Sequence, residues 1–216
     1  MDRGNFGFGD ELHSCFENSP MRPIPLLLAL LAGCAPSRPL QPTEPLALDR
    51  IPVVYGFGRK HREHIDVSGA AWSTIESIFE PESDDACEER HRIRQAVAEM
   101  ERIAGEQTPT HYDIGRNRFP DVSLGQMDCR DESYNTTTYL RLFQERGLLR
   151  WHEVLVPAFR APLVFDAHNA AQIRDRSTNV QYVVDSWFLD NGQPPYIQEV
   201  HAWLRKTPFD DEENPG

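Results

Sequence analysis

The chain is poor in positive charge. It has 22 Lys and Arg residues against 34 Asp and Glu residues, which gives a net charge of −12 at pH 7. The acids are spread along the chain, so attraction to phosphate groups would not recruit a nucleic acid and we expect no such partner. With 216 residues the chain can form one domain of ordinary size with a real core.

The sequence also lacks an apolar run long enough to cross a bilayer as a mature helix. The run from Ile24 to Ala32 follows Arg22 and has the length of a signal-peptide apolar region. It ends in Leu31-Ala32-Gly33-Cys34, which resembles the bacterial lipobox, where the cysteine thiol accepts a diacylglycerol. The resemblance implies a lipoprotein signal peptide over residues 21–34 and lipidation of Cys34. A buried apolar segment that ends in cysteine by chance is the alternative.

The flanks of this segment set further boundaries. Residues 1–20 carry four acids and one arginine, whereas a signal peptide begins with positive charge. We therefore expect translation to start at Met21 and residues 1–20 to be a non-native upstream extension. Residues 35–50 belong to a stretch with five prolines in eighteen residues, which predicts a stiff tether. By the same resemblance, Ala35 implies a lipid anchor in the outer membrane, with the protein facing the periplasm.

The folded domain is expected over residues 51–206, followed by an acidic tail over 207–216. No internal repeat is present. Apolar spacing predicts one helix from Ser68 to Glu80, with Ser68 as N-cap, and a second from Ser83 to Gly105. A third helix is predicted from near Cys129 to near Gly147, with the charges of Asp131 and Glu132 in a solvated first turn.

After residue 147 the sequence pattern changes. Three segments, 150–159, 161–173 and 178–189, are rich in β-branched and aromatic residues and are separated by turn-like sequences. They predict an antiparallel sheet, so the fold class is α+β, with N-terminal helices followed by the sheet. Trp187 and Phe188 are expected in the core.

Cys129 is the candidate nucleophile, because it opens a predicted helix. A thiol attacks as thiolate, which helix N-termini and nearby imidazolium groups favour. His168 and Asp185 lie on two successive predicted strands. If these pair as a hairpin centred near residue 176 or 177, His168 faces a residue close to Asp185 and both side chains can share one face.

This order of residues resembles the transglutaminase-like, papain-like cysteine superfamily over roughly residues 124–187. "DCRDES" is similar to that family's cysteine motif, and "AHNAAQI" takes the place of its histidine strand. The resemblance implies that Cys129 attacks an amide carbonyl, His168 acts as general base and acid, and Asp185 orients His168. The Cys129 backbone N–H and the Gln126 side chain would stabilise the oxyanion. A hydrolase and an acyltransferase both remain open, and envelope peptides are the substrate class expected from location.

Three alternatives compete with this interpretation. In an oxidising compartment Cys87 and Cys129 could form a disulfide, which would give a non-catalytic binding or assembly lipoprotein. The two cysteines could also be unrelated buried residues. The segment "KHREHID", with His61 and His64, could hold a metal, but a solvated polar loop is favoured, so we expect no metal and no cofactor.

Overall fold

A computed structural model describes residues 41–43, 45–118, 124–161, 167–209 and 214. Six strands and four helices lie in this part of the chain. They are β1 Ile51–Tyr55, β2 His61–Ile65, α1 Gly69–Ile78, α2 Ala86–Gln107, α3 Cys129–Glu145, β3 His152–Arg160, β4 His168–Asp175, β5 Gln181–Asp185, β6 Tyr196–Glu199 and α4 Val200–Leu204. The strands form two antiparallel sheets, β1-β2 and β3-β4-β5-β6. The fold is therefore α+β, as the sequence predicts.

The first two helices follow local sequence signals. The Ser68 hydroxyl accepts a hydrogen bond from the Ala71 amide at 3.2 Å, which confirms Ser68 as the N-cap of α1. Helix α2 continues past Gly105 to Gln107. A Cβ at Gly105 would lie 3.1 Å from the Cβ of His111, so this glycine allows close packing and does not end the helix.

Helix α3 is the central element of the domain. Every residue from Asp131 to Leu140 is buried, and the helix packs against β1, β3, β4 and α2. Asp128 caps it by accepting hydrogen bonds from the amides of Arg130 and Asp131. The predicted boundaries are confirmed, but the buried surface extends all round the helix instead of along one apolar side.

The four-stranded sheet has the predicted antiparallel hairpin. Ala171 pairs with Val184 and Arg174 pairs with Gln181, so the hairpin is centred between residues 177 and 178, slightly later than predicted. Ala171 and Ile173 face the main core with α3, whereas Ala170 and Val183 face the opposite side with Trp203 of α4.

Two strands, β2 and β6, were not predicted from the sequence. The predicted polar loop "KHREHID" contains β2, which is held by Tyr55: this ring stacks on His61 with centroids 5.0 Å apart and its hydroxyl bonds Glu63. His61 and His64 point to opposite faces of the strand because their separation is odd. No group of three metal-ligating side chains occurs in the described part of the chain. The second strand without a prediction is β6, over Tyr196–Glu199.

The predicted tether contacts the domain. The carbonyl of Leu48 accepts a hydrogen bond from the Val67 amide at 2.7 Å, and Arg141 donates to the carbonyl of Pro42. Leu46 and Leu48 pack against the main core. The fold therefore begins before residue 51, because these leucines bury apolar surface that a free tether would expose.

The predicted tail also contacts the domain. Gln198 donates to the carbonyls of Thr207 and Pro208 at 3.1 and 2.9 Å, and Phe209 stacks on Tyr196. Asn214 exchanges two hydrogen bonds with the backbone of Ile197 in β6. Domain contacts thus continue beyond residue 206.

The predicted extension, signal peptide and lipidation site at Cys34 lie outside the described residues. Within the described ranges no helix has the length and apolar character needed to cross a membrane.

We expect Asn135→Ala to destabilise the protein by about 2 kcal/mol, because two buried backbone groups would lose their partner. The Asn135 amide accepts from the Val54 N–H at 2.9 Å and donates to the Val54 carbonyl at 2.8 Å, which fixes α3 to β1. Urea unfolding measures the loss, with the exposed Ser73→Ala variant as control. Equal unfolding midpoints for the two variants would show that this contact contributes nothing.

Candidate active site

Cys129 is the first residue of α3. Its thiol is free and half-buried, and the side-chain amide of Asn169 donates to Sγ at 3.9 Å. The residue lies on the wall of a cavity of about 580 Å³. A nucleophile at this position has both an exposed approach and the positive end of a helix dipole.

His168 and Asp185 form a hydrogen-bonded pair on neighbouring strands. Nε2 of His168 lies 2.8 Å from Oδ2 of Asp185. Continuing the β4-β5 register by one residue places Asp185 across from Ala170, so the two side chains meet diagonally on one face. The small side chain of Ala170 leaves room for this contact. The same oxygen of Asp185 accepts a hydrogen bond from Nε1 of Trp203 at 2.9 Å.

The surroundings of His168 favour the imidazolium. Burial lowers its pKa, but the charge of Asp185 and hydrogen bonds with Asp185 and Cys129 outweigh burial and raise the pKa of His168 to about 9. Trp187, Phe188 and Trp203 surround the ring, with centroids 4.9, 5.4 and 5.7 Å away. Because Nε2 is committed to Asp185, Nδ1 is the ring nitrogen left for the thiol.

The structure therefore brings the three predicted side chains together. The helix that carries Cys129 starts at the same end of the sheet where β4 begins and β5 ends. A thiol, an imidazole on the wall of the same cavity and a carboxylate that orients the imidazole are the parts that nucleophilic acyl transfer requires.

Gln126 does not have the predicted role. Its side-chain amide donates to the carbonyl of Tyr112, and its oxygen accepts from the Asn117 side chain at 2.5 Å. Gln126 is buried and is not among the residues that line the cavity. The hydrogen bonds of the Gln126 side chain hold the loop after α2. The expectation that Gln126 stabilises the oxyanion is therefore wrong.

Two other groups are placed to stabilise an oxyanion. Asp128 caps the amides of Arg130 and Asp131 but not that of Cys129, whose N–H belongs to the first helical turn. Asn169 brings a second N–H group beside the sulfur. Sequence reasoning missed Asn169 although it directly follows His168, and it missed Trp203 because α4 has no strong periodic signal.

The disulfide alternative is not realised. Cys87 is exposed in the first turn of α2, where its sulfur lies 3.8 Å from Nε2 of His91, and both it and Cys129 are free thiols. The proposed disulfide between α2 and α3 is therefore absent from the structure.

The aromatic residues after β5 have a double role. Trp187 is buried, as predicted, and its Nε1 donates to the carbonyl of Asn117 at 3.0 Å. Phe188 is only half-buried. Both line the cavity beside His168, so they are also part of the site wall and not core residues alone.

The first turn of α3 is buried, contrary to the prediction. Asp131 is 0 % exposed and Glu132 is 3 % exposed. Asp131 accepts hydrogen bonds from the amides of Phe57 and Arg59 at 2.8 and 2.5 Å, which holds the turn between β1 and β2. Burial and the charge of Asp128 raise the pKa of Asp131 to about 6.

Glu132 joins a deeper group of carboxyls with Glu101 and Asp113. Burial, and then the charges of the neighbouring carboxyls, raise the pKa of Glu132 well above its usual range. Burial raises the pKa of Glu101 and of Asp113 to about 7 each. The interaction between Glu132 and Asp113 raises the pKa of Glu132 and lowers that of Asp113, so Glu132 holds a proton in preference to Asp113.

A scan against protein-family models, a search of curated proteins and a search of solved structures each found no match to this chain. The chemistry assigned to the site is therefore argued from its geometry.

We expect the protein to lose stability as the pH rises from about 5 to about 8. Glu101 and Asp113 have usual pKa values of 4.5 and 3.8 but hold protons up to about pH 7 when folded. The folded state then binds more protons than the unfolded state across this window, so the free energy of unfolding falls as the pH rises. His168 acts in the same direction between pH 6.5 and about 9. Urea unfolding at the two pH values measures the change.

Glu132→Gln should reduce this loss by about 1 kcal/mol or more, because glutamine cannot release a proton on unfolding as the raised-pKa carboxyl of Glu132 does. The exposed Glu106→Gln variant is the control for removing one negative charge from the chain. Equal or higher stability at the higher pH in the unmodified protein would contradict the expectation.

Proposed function

We propose that this protein is a cysteine amidohydrolase or acyltransferase with Cys129 as nucleophile. The observation that carries the proposal is the 2.8 Å contact between His168 Nε2 and Asp185 Oδ2, on an imidazole that lines the same cavity as the Cys129 thiol. The carboxylate fixes the orientation of the ring and stabilises its positive charge.

The reaction follows from these positions. The thiolate of Cys129 attacks an amide carbonyl carbon, a C–S bond forms and the C=O electron pair moves to oxygen. The Cys129 N–H and the Asn169 side chain donate to that oxygen. The imidazolium gives its proton to the nitrogen, the C–N bond breaks and a thioester remains. His168 then removes a proton from water or an amine, which attacks the thioester and releases the thiol.

A transglutaminase-like, papain-like core is the finer fold that we propose. Support comes from a helix that begins with the cysteine and packs on an antiparallel sheet whose adjacent strands carry the histidine and the aspartate. Fold likeness alone would not assign an activity, so the proposal depends on the triad.

We also propose that the protein is a lipoprotein anchored through Cys34 in the outer membrane and facing the periplasm. The segment that ends in Leu31-Ala32-Gly33-Cys34 supports this location. Envelope peptides are then the amides within reach of the site.

A peptide vinyl sulfone, which alkylates cysteines activated by a neighbouring imidazole, should label Cys129 alone. Cys129→Ala should abolish labelling and Cys87→Ala should leave it unchanged, as measured by intact mass. Asp185→Asn should slow labelling about 100-fold, because the ring loses its orienting charge. Equal labelling of the two cysteine variants would rule out Cys129 as the reactive centre.

Expression in a bacterium fed labelled palmitate tests the anchor separately. The Cys34→Ser substitution should remove the label from the protein and should also remove the protein from the membrane fraction. The Cys15→Ser variant, which alters a cysteine ahead of Met21, is the matched control and should retain both. Incorporation of the label into the Cys34→Ser protein would overturn the lipobox assignment.

A further inference from the structure

Asp185 has a second hydrogen-bond donor besides His168. The side chain of Asp185 is 1 % exposed, and a carboxylate buried to this degree needs donors from the protein. The indole N–H of Trp203, which can only donate, lies 2.9 Å from the same Oδ2 atom that meets His168 Nε2 at 2.8 Å. Because both donors converge on one oxygen, the carboxylate cannot rotate without weakening both hydrogen bonds. Trp203 thus helps to fix the oxygen that orients His168.

The position of Trp203 is not explained by its own helix. Helix α4 has five residues, and a helix this short has little stability of its own. The buried indole packs instead on the sheet, against Ala158, Ala170 and Val183. Ala158 and Ala170 are partners across β3 and β4, and their small side chains leave room for the indole. The sheet that carries the histidine and the aspartate of the triad therefore also positions the tryptophan.

Arg160 is a further support of Trp203. It is the last residue of β3 and the register partner of His168 on β4. Its guanidinium lies 4.3 Å from the centroid of the Trp203 ring, and its Nη1 donates to the Trp203 carbonyl. A guanidinium plane stacks favourably on an aromatic face. The ends of three neighbouring strands thus contribute Arg160, His168 and Asp185 to one connected group, and Trp203 contacts all three.

We propose that Trp203 is a positioning residue of the triad, which acts on His168 through Asp185 and is itself held in place by Arg160. The reaction that this positioning serves rests on the proposed function, whereas the positioning rests on the contacts of Trp203. Trp203 is more than a packing residue in this account, because its N–H group matters as well as its ring.

Two cysteine reagents separate the work of the imidazole from that of the thiol. With a peptide vinyl sulfone, the Cys129 thiolate forms a C–S bond with the terminal vinyl carbon, and the carbanion beside the sulfone takes a proton from the His168 imidazolium. With iodoacetamide, the thiolate forms a C–S bond and iodide leaves, so no proton is transferred. The ratio of the two rates therefore reports the orientation of the imidazole.

Trp203→Phe keeps an aromatic ring and removes the N–H group. It should slow vinyl sulfone labelling of Cys129 about tenfold, because a hydrogen bond to a buried charged group is lost. The rate with iodoacetamide should change less than about twofold. Intact-mass time courses measure both rates, and urea unfolding verifies that the variant is folded.

Two comparisons test whether Trp203 acts through Asp185. In an Asp185→Asn background, Trp203→Phe should slow vinyl sulfone labelling less than about twofold further, because the carboxylate through which it acts is gone. Trp151→Phe is the matched control. The Trp151 Nε1 also donates to a protein oxygen, the carbonyl of Ser83 at 3.1 Å, but Trp151 does not line the cavity. This control should leave both rates unchanged.

Arg160→Lys tests the support of the indole and keeps the inference falsifiable if Trp203→Phe does not fold. Lysine retains the positive charge but lacks the guanidinium plane. The substitution should slow vinyl sulfone labelling about threefold without an equal change in the iodoacetamide rate. In a Trp203→Phe background this effect should disappear, because the N–H group that Arg160 holds is absent.

Parallel changes with both reagents, or no change with either, would show that Trp203 only packs against the sheet and would overturn the inference. An effect of Trp203→Phe that is undiminished beside Asp185→Asn would do the same. Absence of vinyl sulfone labelling in the unmodified protein would overturn the proposed function and the inference with it. The two failures are distinguishable, because the first appears only in the variants and the second already in the unmodified protein.

Discussion

The burial of the amino end of α3 is the constraint on which the rest of the site depends. Asp131 uses both carboxylate oxygens to hold the β1-β2 turn, and Asp113 accepts from the Met127 amide just ahead of the helix at 2.5 Å. These contacts fix the helix start from two sides. Because Cys129 is the first helical residue, its sulfur can lie beside His168 only while the helix begins at this point.

Burying carboxyl groups behind the thiol that we propose as nucleophile creates an electrostatic conflict. A full set of negative charges at Glu101, Asp113 and Glu132 would oppose the formation of a thiolate at Cys129. Their raised pKa values reduce that charge near neutral pH, since protons remain on part of the group. The interior behind the sulfur of Cys129 is thus partly neutralised near neutral pH.

Sequence periodicity predicted the elements that bury apolar surface, and with them the meeting of His168 and Asp185. A strand period of two and a turn near residue 177 were sufficient to bring that pair together. The same method failed where polar groups bury one another. Asp131 finds its partners at Phe57 and Arg59, more than seventy residues away, and Gln126 finds its partner at Tyr112. Such contacts produce no periodic pattern in the sequence. The sequence-based interpretation therefore assigned Asp131 to solvent and Gln126 to catalysis.

The C-terminal part of the domain contributes a hydrogen bond to the pair of His168 and Asp185. Trp203 Nε1 can only donate a hydrogen bond, and it donates to the same Asp185 oxygen that meets His168. A second donor to that oxygen stabilises negative charge on it and thereby favours the proton on the imidazole, in agreement with the raised pKa of His168. Because Nε2 is engaged by Asp185, Nδ1 is the ring nitrogen left for the thiol in the proposed chemistry. A residue on a helix beyond the sheet thus supports the pair of His168 and Asp185 on which the proposed chemistry depends.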